Sequence, residues 1–91
     1  KMKSNTYRLE NWKNNGTNIS REIVFNSFMD AIRAINLIAV EAEKLDHHPN
    51  WSNVYNTLSI SLFTHTKNDV TNLDYELATQ INRIVHENFE L

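Results

Sequence analysis

Along this chain the spacing of apolar residues switches between two and three-to-four, and the order of those switches limits the fold more than any other feature. Residues 18–25 alternate, with Ile19, Ile23 and Phe25 on one side and Ser20, Glu22 and Val24 on the other, as in a half-buried strand. From Ser27 the period lengthens. Phe28, Ala31, Ile32, Ile35, Ile38, Ala39, Ala42 and Leu45 recur at three and four, which is one face of a helix. Ser27 followed by Asp30 resembles a capping box at its start. Pro49 sets its end near Asp46-His47, because the residue before a proline is pushed out of the α region. Residues 53–65 return to a period of two, with Leu58, Ile60 and Leu62 opposed to Ser59, Ser61, Phe63 and His65. Asn56-Thr57 is expected to turn the chain between this strand and a short one at residues 53–55. Thr71 with Asp74 repeats the capping signal, and Leu73, Leu77, Ala78, Ile81, Val85 and Phe89 form a second helical stripe.

Upstream, residues 7–13 carry Leu9 and Trp12 and read as a short strand, followed by Asn14-Asn15-Gly16, three residues tolerant of positive φ, as a hairpin turn. The order is therefore strand, strand, helix, strand, strand, helix. It predicts an α+β two-layer sandwich: a four-stranded antiparallel sheet with both helices on one face. A chain of 91 residues has the length of one domain, expected over residues 1–91.

Composition removes several function classes. Without cysteine there are no disulfides, thiolate nucleophiles or thiolate zinc sites. A formal net charge of −2 gives no basic field, so a direct nucleic-acid partner is not expected. The longest apolar run, residues 31–42, is broken by Arg33, Asn36 and Glu41 and falls short of the ~20 residues that span a bilayer. The N-terminal residues lack the apolar core of a signal peptide, so a cytoplasmic protein without membrane contact is expected. Gly16 alone cannot form a phosphate-cradling loop, and no serine sits in a GxSxG elbow.

What remains is histidine. His47-His48 fall where a helix stops against Pro49, and His65 falls at a strand end, positions that project side chains from a rigid scaffold. Imidazole gives and takes protons near neutrality, so these three could do acid–base chemistry. Residue type alone leaves two other uses open: surface or helix-capping histidines, and a three-histidine metal site. Adjacent histidines diverge and no i, i+4 pair or HExxH is present, so no metal is expected. His86 lies off the second stripe and reads as a solvated surface residue. Trp12, Trp51, Tyr55 and Phe63 could stack on a flat heterocycle.

Four separated elements in register narrow this further. Glu43 stands four positions before His47-His48-Pro49, then come Trp51, the run Asn53-Val54-Tyr55-Asn56, the pair Thr64-His65, and Asp74 at a helix start. This pattern resembles the signature of the pterin-4a-carbinolamine dehydratases, over roughly residues 12–89. Where that family usually has a Gly-Gly pair after Thr-His, this chain has Asn68-Asp69, the non-glycine types best able to adopt a left-handed conformation. The family also commonly begins with an extra helix, whereas only six residues precede Tyr7.

The resemblance implies a hydro-lyase that converts 4a-hydroxytetrahydropterin to quinonoid dihydropterin and water, recycling the pterin of aromatic amino acid hydroxylases, with no cofactor. It implies that His47 and His65 are the acid–base pair and that His48 orients the substrate. Pro49, Trp51, Thr64, Thr66 and Lys67 would line the pterin pocket, with Glu43 and Asp74 in support. Asp74 would combine helix capping with holding the His65 loop. The alternative is a non-catalytic interaction module on the same fold, since some animal relatives act as dimerisation cofactors for a transcription factor. Association is expected in either case. Ile32, Ile35, Leu37, Ile38, Val40 and Ala42 extend around more of the first helix than the ~100° one face requires. The resemblance likewise implies a homodimer or homotetramer, with Leu37 or Val40 near the contact.

Overall fold

The computed structural model describes residues 9–91. Strands β1 (Lys13–Asn14) and β2 (Ile19–Val24) are followed by helix α1 (Phe28–Leu45), strands β3 (Asn50–Val54) and β4 (Thr57–Leu62), and helix α2 (Asn72–Asn88). The sheet is antiparallel throughout, in the order β1-β2-β4-β3, which is the α+β arrangement the sequence predicts. Register follows from which side chains must be buried. Ile19 pairs with Leu62 and Ile23 with Leu58, so the apolar sides of β2 and β4 coincide and meet the helices. Ser20, Glu22, Ser59 and Ser61 coincide on the opposite face. The core joins Ile19, Ile23, Phe25, Leu58, Ile60 and Leu62 to Ala31, Ala34, Ile38 and Ala42 of α1 and Leu77, Ala78, Ile81, Ile84 and Val85 of α2. Truncating one such aliphatic side chain to alanine typically costs about 2–5 kcal/mol.

The start of α1 forms half of the expected capping box. The Ser27 hydroxyl accepts from the Asp30 amide at 3.1 Å. The Asp30 carboxylate faces Arg33 at 3.6 Å, so the acidic residue adds an i, i+3 pair. At the other end, Asp46 takes φ 51°, with its amide donating to the Glu43 carbonyl (3.1 Å) and the His47 amide to the Ala42 carbonyl (3.0 Å). This is a Schellman closure with aspartate in the glycine position, and it fixes the direction in which His47 and His48 leave the helix.

Several boundaries differ from expectation: β3 begins at Asn50 rather than at residue 53, and β4 ends at Leu62 rather than at His65. The first strand is not residues 7–13: Asn11 is left-handed at φ 74° and the Trp12 amide bonds the Leu9 carbonyl (3.1 Å), so residues 9–12 turn and pairing begins only at Lys13. Residues 7 and 8 lie outside the described residues. The β3–β4 turn is Tyr55-Asn56 rather than Asn56-Thr57, because Tyr55 supplies the positive φ (54°) while Thr57 pairs with both Val24 and Val54. Of the expected Asn14-Asn15-Gly16 turn, Gly16 takes φ 98°, while Asn14 lies in β1 and pairs with Ile19.

Candidate active site

Three chain segments deliver the signature residues. The end of α1 presents Glu43, His47, His48 and Pro49; the segment after β4 presents Thr64 to Lys67; the start of α2 presents Thr71 and Asp74. Asp74 is 0% exposed. A buried carboxylate is costly unless its oxygens are hydrogen-bonded, and here both are. Oδ2 accepts from the Thr71 amide and from the Thr64 hydroxyl, each at 2.8 Å. Oδ1 meets His47 Nε2 at 2.5 Å, and the His47 side chain is only 11% exposed. The Thr64 and Thr71 hydroxyls are 2.7 Å apart. One carboxylate thus caps α2, clamps His47 from 27 positions away, and grips the residue before His65.

The segment carrying His65 is a compact turn. The Thr64 amide donates to the Asp69 carbonyl (2.8 Å), Lys67 to the Thr64 carbonyl (3.1 Å) and Asn68 to the His65 carbonyl (3.1 Å). Asn68 is left-handed at φ 50°, so asparagine does serve this turn without glycine. The side chains of His65, Thr66 and Lys67 are exposed. The His65 ring rests against Phe63, with centroids 4.5 Å apart. His48 Nε2 pairs with the Glu43 carboxylate at 2.6 Å, both groups being solvent-exposed. Pro49 and Trp51 are half-buried, and Trp51 packs partly against the core. No direct hydrogen bond joins the three histidines among the described residues. Nor do any three His, Asp or Glu side chains among them group in a way that could hold a metal ion.

The chemical capacity of this arrangement is proton transfer. His47 has Nε2 committed to a buried carboxylate, which sets the orientation of the ring and leaves Nδ1 outside that contact. His65 stands in solvent reach on an ordered turn.

The family comparisons bear on this geometry. The sequence profile described as pterin 4 alpha carbinolamine dehydratase matches residues 1–84. The chain belongs to the pterin 4 alpha carbinolamine dehydratase family. A Prochlorococcus marinus (strain MIT 9312) member, provisionally named pterin-4-alpha-carbinolamine dehydratase, is 39% identical over 83 residues, covering 91% of this chain and 86% of its own length. A Mesorhizobium japonicum member with the same provisional name is 46% identical over 67 residues, covering 74% of this chain and 68% of that one. The solved structure of a Brucella melitensis protein, described as a transcriptional coactivator/pterin dehydratase, superposes with a TM-score of 0.82 at 35% identity. That alignment covers 92% of this chain and 97% of the other.

This family member also holds a polar cluster that sequence reading does not single out. Arg21 lies on the helix-facing side of β2, between Ile19 and Ile23. Its guanidinium donates to Asn82 Oδ1 (2.6 Å), which also accepts from the Trp12 indole (2.7 Å). Burial pushes the Arg21 pKa below the usual arginine value. A cleft of about 560 Å³ beside it, lined by residues including Arg21, Asn82, Arg83 and His86, contains none of the signature residues. The one available signal was positional: strand alternation puts residue 21 on the buried side.

Proposed function

We propose that this protein dehydrates 4a-hydroxytetrahydropterin to quinonoid dihydropterin and water, using His47 and His65 as the acid–base pair and His48 to orient the substrate. The observation that carries the reading is the buried His47–Asp74 contact in a member of this family. The reaction breaks the C4a–O bond, removes the N5 proton and forms C4a=N5; the hydroxyl leaves as water once protonated. Hydroxide is a poor leaving group, so one group must donate a proton as another accepts one. Asp74 Oδ2 accepts from two donors, and as an ionised carboxylate Asp74 can only accept at Oδ1 too, so the proton in that contact belongs on His47 Nε2. Neutral His47 then has its lone pair on Nδ1, which suits it to accept the N5 proton. His65, exposed beside Phe63, protonates the departing hydroxyl. Acid–base assistance of this kind is worth ~10²–10⁴-fold, and no step needs a cofactor.

The family name supports a dehydratase, and this chain retains all three histidines, so the non-catalytic interaction module is not the better-supported reading. We further propose a homo-oligomer formed through α1, on which Met29 and Val40 (52% exposed) stand in solvent. Among the described residues no helix is long and apolar enough to cross a membrane.

The test is stopped-flow decay of 4a-hydroxytetrahydropterin with purified protein. First-order acceleration proportional to enzyme concentration is expected; decay at the spontaneous rate would overturn the proposal.

A further inference from the structure

We infer that Thr64 is a positioning residue, whose hydroxyl is oriented by Thr71 and in turn holds Asp74 so that His47 keeps a single tautomer. The inference rests on the dehydratase reading for its kinetic consequence alone.

The direction of each hydrogen bond can be worked out. The Thr71 amide can only donate, and it donates to Asp74 Oδ2. A hydroxyl carries one proton, and that of Thr64 goes to the same oxygen at 2.8 Å. In the 2.7 Å contact between the two hydroxyls the proton must therefore come from Thr71. The chain runs from Thr71 to Thr64 to Asp74, and Asp74 Oδ1 faces His47 Nε2. With Oδ2 saturated by two donors, the carboxylate cannot swing, and Oδ1 is left as an acceptor for an Nε2 proton.

Burial supports this role over contact with substrate. Thr64 is 9% exposed, whereas His65, Thr66 and Lys67 after it are exposed. Its backbone meanwhile bridges Asp69 and closes the turn that carries His65. One residue therefore ties the settings of both proposed proton-transfer groups together, through its hydroxyl to His47 and through its backbone to His65.

The test compares Thr64→Val, Thr64→Ser and Thr64→Cys. Valine keeps the branched shape and deletes the donor; serine keeps the donor; cysteine has only a weak one. Thr64→Val is expected to lower kcat about tenfold, the loss of roughly one hydrogen bond to a charged group, with KM changed less than about twofold. Thr64→Ser should recover kcat to within about threefold, and Thr64→Cys should fall between; if the valine variant fails to fold, the cysteine variant must show the same split. Long-range ¹H–¹⁵N spectra of histidine-labelled protein need no substrate. They should show neutral His47 as the Nε2–H form in the unmodified protein and as a mixture in Thr64→Val. An unchanged tautomer in Thr64→Val, a raised KM at constant kcat, or a serine variant as impaired as valine would each overturn the inference. If the unmodified protein turns over no pterin while the valine variant still shifts the tautomer, the relay stands and the dehydratase reading falls.

Discussion

Replacing Asp74 by asparagine separates its structural role from its chemical one. The carboxylate takes three contacts: His47 Nε2, the Thr64 hydroxyl and the Thr71 amide. Asparagine is isosteric, and its carbonyl oxygen placed at the Oδ2 position retains the two donors from Thr64 and Thr71. Its amide nitrogen then faces His47, a donor where an acceptor stood. His47 must present a bare Nε2 and carry its proton on Nδ1, the nitrogen that should accept from N5. The analogous inversion in the serine-protease triad drops kcat about 10⁴-fold, so a loss of ~10²–10⁴-fold is expected here. Stability should fall far less. One hydrogen bond to a charged group, about 1.5–3 kcal/mol, and a helix-N-terminal charge effect of about 0.3–1 kcal/mol are lost, offset in part by no longer burying a charge. A net cost of about 1–3 kcal/mol corresponds to a Tm drop of roughly 5–20 °C for a chain of this length. Asp74→Ala, by contrast, strands three polar groups at about 1–3 kcal/mol each and threatens the whole folding free energy. Stopped-flow kinetics and thermal melts on Asp74→Asn check both halves. A folded variant with kcat within about threefold of the unmodified protein would refute the tautomer argument.

His47→Ala and His65→Ala should each lower kcat by ~10²-fold or more with the fold intact by circular dichroism, as for removal of one proton-transfer group. Exhaustive chelation should leave turnover unchanged, and elemental analysis should find no stoichiometric zinc; loss of activity restored by zinc would favour the three-histidine metal alternative. Leu37 packs partly against the chain's own core, so the charge is better placed at Val40: Val40→Lys on the exposed apolar surface of α1 should shift light scattering toward monomer, and a monomeric unmodified protein at micromolar concentration would sink the assembly proposal.

Elements with an intact local signal were legible in the sequence. Both helices show a stripe and a cap, α1 also a stop at Pro49, and β2 alternates cleanly, so the bounds of these three agree within a residue or two, whereas β4 ends at Leu62, three residues before the expected His65. Stripes extended too far at helix starts, where Phe28 and Leu73 are exposed, and missed Ala34 and Ile84, which are buried in the core. The first strand failed because Trp12 is held by Asn82, 70 positions away, and no local pattern reports that bond. In the site, Asp74 was visible as a capping residue, since Thr71 lies three positions before it. Its contact with His47 was not, because spacing along a chain does not say which helix end meets which. Thr64 reads as a polar residue beside a histidine, and only its burial shows that its hydroxyl faces inward.

A crystal structure with a non-reactive dihydropterin bound tests the role of His47 at its source. The pterin is expected between the end of α1 and the turn carrying His65, with N5 within hydrogen-bond reach, about 2.6–3.2 Å, of His47 Nδ1 while Nε2 stays on Asp74. A pterin seated instead in the Arg21–Asn82 cleft, or one that meets His47 only through Nε2 with the Asp74 contact broken, would contradict it.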